Sequence, residues 1–181
     1  YENEEIKRFD GNLILAEITL TDGKSFRVIS VYSPAWPVDR QRLEGIDVSD
    51  VKLKQNPDVW LTEILWAALL SENLKEHLWI VGGDLNSSVT FDILWKNGDR
   101  GNQEIQNRMN RLGFIECLVY HQGQLTPTFK NATGGKVIHQ MDHLYIPERI
   151  KQDLLSCKTG DADRIFDSSL SDHLPIIAEV K

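Results

Sequence analysis

The chain is short of several things, and each shortage removes a class of protein. Only two cysteines occur in 181 residues, Cys117 and Cys157. No disulfide framework is therefore written into it, and both residues, set in apolar stretches, read as free buried thiols. Basic residues are outnumbered, 20 Lys plus Arg against 27 Asp plus Glu, for a formal net charge of −7. Phosphate contacts are built on Lys and Arg, so a dedicated high-affinity binder of polyanions is disfavoured. An enzyme that meets a phosphate through cations held at an acidic site is not. No apolar run approaches the roughly 20 residues of a membrane helix, and no signal-peptide pattern opens the chain. A soluble, intracellular protein without a membrane partner is expected. Repeats, low-complexity tracts and linkers are lacking as well.

What remains is ordinary globular composition, 41% hydrophobic and 26% charged. At this length it fits one domain over residues 1–181, large enough for one core. "NLILAEITL" alternates apolar and polar residues, "TDG" is a turn signal, and "KSFRVISVYSP" follows, so a hairpin is expected. "PAWPVDRQRLEG" reads as a loop. "NPDVWLTEILWAALLSENL" reads as a helix opened by Pro57 and Asp58. Trp60, Ile64 and Ala67, with Leu61 and Leu65, recur there at helical spacing, and its tryptophans read as core. "HLWIVGG" is nearly continuous in apolar residues, the mark of a buried central strand. "NQEIQNRMNRLG" is a polar amphipathic helix stopped by Gly113, while "FIECLVY", "DHLYIP" and "LPIIAEV" read as strands. Strands with a few helices laid on them point to an α/β fold.

Polar residues gather where the apolar runs end. Asp84 and Asn86 follow "HLWIVGG", Asp142 opens "HLYIP", Asp172 and His173 precede "LPIIAEV", and Tyr32 ends "VISVY". Each alone reads as turn chemistry: an Asx turn for Asp84, a turn device at Ser-Asp-His, a solvated strand-end Asp142 or Tyr32. Together they resemble one assembled site. That set supports metal-assisted attack of water on a phosphate ester. Mg²⁺ or Mn²⁺ takes carboxylate oxygens, which Asp172 and Asp84 offer. A carboxylate orients the water, and Asn86 fixes the water or a phosphate oxygen. His173 stabilises the phosphate, oriented by a carboxylate for which Asp142 is the candidate, and Tyr32 donates to the phosphate.

The pieces "VYSP", "GGDLN", "MDHLYIP" and "SDHLPI", in this order, resemble the endonuclease/exonuclease/phosphatase superfamily of deoxyribonuclease I and the apurinic/apyrimidinic endonucleases. The Thr-Phe pair in "LTPTFKNATGGKVIHQMDHLYI" adds to the likeness. The resemblance implies a four-layered α/β sandwich of two packed, mainly antiparallel sheets flanked by helices. It implies Asp84 and Asn86 at the attacking water, His173 at the scissile phosphate with Asp142 behind it, Tyr32 on the phosphate, and Asp172 at the metal. Gly82 and Gly83 would then let the backbone turn tightly, so that Asp84 and Asn86 face the phosphate.

The resemblance also implies an Asn ending a first strand and a metal-binding Glu after a first helix, both well before "VYSP". The residues ahead of Tyr32 read as a hairpin instead, and Glu2, Glu4, Glu5 and Glu17 do not sit in that context. The sequence thus reads as the C-terminal portion of such a domain, with self-association through an unpaired edge if the first strands are missing. A metal-dependent nuclease with nucleic acid as partner is the leading expectation. The alternatives are a phosphatase or phosphodiesterase for a small or lipid phosphoester, which the acid excess favours, and a non-catalytic binding domain. Lys96, Arg100, Arg108, Arg111, Lys130 and Lys136 lie near the site segments, each reading individually as a solvated charge.

Overall fold

In the computed structural model, residues 7–94, 99–131 and 137–181 are described. The expected hairpin forms from β1 (Leu13–Thr19) and β2 (Ser25–Tyr32), paired antiparallel. Arg27, Ile29 and Val31 turn inward at alternate positions of β2. The buried Arg27 charge is met by Glu17 at 3.2 Å and Glu72 at 3.8 Å. The apolar run after it becomes β3 (Leu78–Asp84), with Trp79 and Val81 fully buried. It lies centrally, parallel to β2 on one side and antiparallel to β5 (Asp142–Pro147) on the other.

Among the described residues this sheet has five strands in the order β1-β2-β3-β5-β4, where β4 is Phe114–Glu116. A second sheet pairs β6 (Leu154–Thr159) with β7 (Ile176–Val180). The larger sheet is covered by α1 (Leu61–Leu70), whose Leu61, Ile64, Leu65, Ala68 and Leu69 join Ile29, Val31, Trp79 and Tyr145 in the main core. A shorter helix, α2 (Val89–Leu94), and α3 (Asn102–Arg111) follow, and Gly113 (φ +84°) stops the second of them as expected. A smaller core of Cys117, Leu118, Ile146, Leu154 and Cys157 joins the two sheets. Both thiols are free and buried. Burial pushes Cys157 up to about 11 and Cys117 higher still, so neither is a nucleophile near neutrality.

Three details differ from the sequence reading. Helix α1 begins at Leu61 rather than at Pro57, because the Glu63 carboxylate takes the Trp60 N–H at 2.7 Å and the Leu53 N–H at 2.6 Å. "FIECLVY" is a strand only to Glu116. The Glu116 carboxylate then accepts the Val119 N–H at 2.6 Å and caps a short helix, α4 (Cys117–Gln122). Strand β6 was not foreseen, since "LLSCKT" carries neither clean alternation nor a continuous apolar run.

Asp92 ties α2 to α3. Its carboxylate accepts the Arg100 N–H, the Asn102 side-chain amide and the Gln103 N–H, each at 2.8 Å. Partial burial pushes its pKa up, but these hydrogen bonds outweigh burial and hold it below the ordinary carboxylate value. A depressed folded-state value adds stability above the unfolded value of about 3.9, and that contribution is lost as pH falls through the folded value. Asp92→Asn should therefore lower stability at pH 7 and leave a shallower acid limb. Urea titrations at pH 7 and pH 3 check this, and equal losses at both would refute it.

Candidate active site

Three strand ends meet at one rim of the larger sheet. Tyr32 is paired with Asp84 across β2 and β3, and Asp84 with Asp142 across β3 and β5. A single row of residues thus crosses three strands, and side chains in such a row share one face. Gly82 and Gly83 do not make the expected turn. They continue β3, and the backbone reverses only at Asn86, whose φ is +46°.

The Asx-turn reading of Asp84 is correct, and the turn serves the site. Asp84 Oδ1 accepts the Asn86 N–H at 2.8 Å and Oδ2 accepts its side-chain amide at 2.9 Å. The same amide donates to the Ser33 carbonyl at 2.6 Å, just beyond the end of β2. Asn86 is thereby fixed against Asp84 from two sides.

His173 arrives from the segment leading into β7. Its Nδ1–H donates to Asp142 Oδ2 at 2.8 Å, while Nε2 lies 4.0 Å from Asp84 Oδ2. The Asp142 hydrogen bond, opposed by partial burial and aided by the charges of Asp142, Asp84 and Asp172, raises the His173 pKa above its ordinary value. Burial raises Asp84, against the pull of the Asn86 N–H and His173. The half-buried site therefore concentrates negative charge that a cation would relieve. Asp84, Asp142 and His173 each offer one donor atom, all within 4.8 Å of one another. Asp142 holds the imidazole through Oδ2 and Asp84 holds Asn86 through both oxygens, so each carboxylate would bring its remaining lone pairs to a hard divalent cation.

Asp172 and Tyr32 stand apart from this cluster. The Asp172 residue is exposed and lies outside the three-residue group, reaching it only through its charge. Tyr32 has its place in the strand row but is 52% exposed, open to a ligand rather than bonded to its neighbours' side chains.

What brings Asp142 and His173 together is the segment holding Thr128 and Phe129. Thr128 Oγ1 accepts the N–H groups of Met141 and Asp142, both at 3.1 Å. Its carbonyl accepts the Leu174 N–H at 2.7 Å. Phe129 forms bridges to His139 and His173, and its ring lies 4.9 Å from the His173 ring. In the sequence the Thr-Phe pair is only part of a pattern, and its two-sided bracing is visible only in three dimensions.

Beside Asn86 opens a cleft of about 350 Å³ lined by Trp60, Phe91, Phe129 and His139, with Asn56, Asn131 and Arg100 among its polar residues. The His139 ring stacks on Phe91 at 4.1 Å and its Nδ1 lies 2.7 Å from Thr90 Oγ1. Trp60, read from sequence as core, is instead half-buried on this wall. Of the basic residues singled out, Arg100 lines the cleft, but Arg108 is buried, its guanidinium 4.2 Å over the Trp66 ring. Arg111 pairs with Glu104, and Lys130 lies 4.0 Å from Asp167. Lys96 and Lys136 fall outside the described residues, as do Glu2, Glu4 and Glu5. Glu17 sits on β1, engaged with Arg27.

No family model matches the sequence, and no curated protein matches it. Solved structures do. An AP endonuclease from Archaeoglobus fulgidus superposes with a TM-score of 0.65 at 16% identity, covering 94% of this chain and 65% of its own. A 3′ phosphatase from Neisseria, bound to a product DNA hairpin, gives 0.59 at 16%, covering 92% and 64%. The catalytic domain of Xenopus laevis APE2 gives 0.59 at 17%, covering 100% and 59%. The chain has the endonuclease/exonuclease/phosphatase fold. It spans less than two thirds of the length of these three relatives by fold. The described residues contain no helix long and apolar enough to cross a membrane.

Proposed function

We propose that this chain carries the reactive rim of a divalent-metal-dependent phosphodiester hydrolase that acts on nucleic acid. The observation that supports it most is the Asp142–His173 pair, 2.8 Å apart, facing Asp84 and Asn86 across the ends of β3 and β5. In this reading Asp84 orients and deprotonates the attacking water, and Asn86 holds that water or a phosphate oxygen by hydrogen bonds. His173, oriented by Asp142, whose hydrogen bond also raises its pKa, donates to the phosphate as charge develops on it. Tyr32, exposed at the neighbouring strand end, donates to another phosphate oxygen. Asp84 would hold Mg²⁺ or Mn²⁺, with Asp172 adding negative potential nearby, and the bound cation would supply positive charge at the phosphate. The two sheets and their helices are read as layers of a four-layered α/β sandwich.

A nucleotide substrate suits the cleft, whose aromatic faces accept a flat base or a sugar and whose amides and Arg100 offer polar contacts. Two of the relatives by fold act on DNA according to their names, an AP endonuclease and a phosphatase bound to a DNA hairpin. The net charge of −7 favours the second reading, a small or lipid phosphoester.

The test is nicking of supercoiled plasmid, with and without an abasic site, in Mg²⁺ or Mn²⁺ against EDTA. Nicking that requires the cation is expected, and chelation should remove it. Metal-dependent release of phosphate from a small phosphoester, with intact plasmid, would replace the nuclease reading by the second one. Turnover of neither substrate would count against the hydrolase reading of this chain on its own, and its absence in a full-length parent as well would favour a non-catalytic binding domain.

A further inference from the structure

Behind the site lies a buried polar chain that the roles above do not use. His143 follows Asp142 on β5, so the two side chains leave opposite faces of the strand. Asp142 reaches His173, and His143, only 2% exposed, reaches the loop after Asn86. Its Nε2 lies 2.9 Å from the Ser87 carbonyl oxygen. Its Nδ1 lies 3.4 Å from the Gln140 side-chain amide nitrogen.

The orientation of each group follows from its neighbour. The Thr126 N–H donates to Gln140 Oε1 at 2.9 Å, which turns the Gln140 NH₂ toward His143. That NH₂ can only donate, so His143 Nδ1 accepts and the ring proton sits on Nε2. Nε2–H then donates to the Ser87 carbonyl. Glu116, whose Oε1 lies 3.8 Å from Nδ1, spends its oxygens on the Leu144 N–H at 3.2 Å and the Val119 N–H at 2.6 Å. Ser87 is gripped on its other side as well, its hydroxyl donating to Asn102 Oδ1 at 2.9 Å. Asn86, immediately before it, has a left-handed φ of +46°, a conformation that asparagine adopts more readily than most residues other than glycine.

We infer that His143 is a positioning residue for Asn86: in its Nε2–H form it anchors the Ser87 carbonyl and so holds Asn86 against Asp84. The inference rests on Asp84 and Asn86 forming the reactive rim. It concerns geometry, and so it can be tested without turnover.

Long-range ¹H–¹⁵N correlation spectra of the 181-residue chain should show His143 with a bare Nδ1 and a protonated Nε2. His143→Phe should shift the Asn86 side-chain amide signals and speed their exchange with water roughly tenfold, as expected for one lost hydrogen bond. His143→Gln, which can place an N–H where Nε2 was, should restore both. Tyr145→Phe keeps the ring stacked on His143 at 5.8 Å, removes only the hydroxyl bonded to Gln106, and should leave Asn86 unmoved. On any substrate the chain hydrolyses, His143→Phe should lower kcat at unchanged KM, and His143→Gln should recover it. A protonated Nδ1, or Asn86 signals unmoved in His143→Phe, would overturn the inference. Should His143→Phe not fold, the tautomer and the restored Asn86 signals of His143→Gln decide it. If no phosphoester is hydrolysed, the function reading falls while the spectra still answer for His143.

Discussion

His173→Ala should cut metal-dependent phosphodiester cleavage by about 10²- to 10³-fold or more, the usual loss when one preorganised donor to a developing anion is removed. A moderate loss of stability should accompany it, because the half-buried His173 ring lies 4.9 Å from the Phe129 ring and its removal leaves Asp142 without their hydrogen bond. Asp142→Asn should be nearly as damaging through a different route. A carboxylate accepts the Nδ1–H at 2.8 Å and so favours the imidazolium, whereas an amide that presents its NH₂ to Nδ1 leaves a neutral ring, a weaker donor to the phosphate through Nε2–H. The substitution also removes the largest influence raising the His173 pKa. If protonated His173 is the working form, activity is kept below its folded-state pKa and lost above it. Asp142→Asn should then shift the alkaline limb of the rate profile to lower pH. Rate profiles from pH 5 to 9 for nicking of supercoiled plasmid would show this. Wild-type rates in both variants would remove His173 from the reaction.

The rim was legible in the sequence because its residues sit where apolar runs stop. "HLWIVGG" announces a buried strand, so Asp84 had to lie at its end, and Asp142 stands at the mouth of another such strand. That His173 would reach Asp142 was not legible from spacing, since 31 residues separate them. The chemistry of an oriented imidazole asked for a carboxylate and offered Asp142 as the candidate, the family resemblance implied the same pair, and the geometry places the two in contact. The braces were hidden for a different reason. Thr128 and His143 act through hydrogen bonds to backbone groups distant in sequence, and no periodicity marks a hydroxyl or an imidazole for that work. The helix after Glu116 was missed because "CLVY" is β-branched and aromatic enough to pass for strand. One carboxylate accepting the Val119 N–H overrides that propensity.

Gly83→Ala should be the most destabilising single substitution in the strands around the site. Gly83 lies inside β3, beside Val31 of β2 and His143 of β5, with φ at +138°. A Cβ there would stand 2.0 Å from the Val31 carbonyl oxygen and 3.0 Å from the Val31 carbonyl carbon and nitrogen. These are backbone atoms of a central strand, so no side chain can swing aside to make room. Either β2 and β3 part, separating Tyr32 from Asp84, or the residue is forced out of its φ. Strain of this kind and overpacking each cost about 1–3 kcal/mol, so a loss of about 3 kcal/mol or more is expected. Gly82→Ala makes the contrast. Its Cβ would meet the Leu144 Cδ1 methyl at 2.9 Å, the tip of a movable side chain, and the His143 carbonyl oxygen at 3.2 Å. About 1 kcal/mol is expected there, at the low end of overpacking costs. Urea unfolding of the two variants separates a close-packed strand from a turn. A turn would tolerate alanine similarly at both positions, whereas the close approach of β2 to β3 predicts a large loss at Gly83 alone. Equal midpoints for the two variants would sink the strand-packing account of this pair.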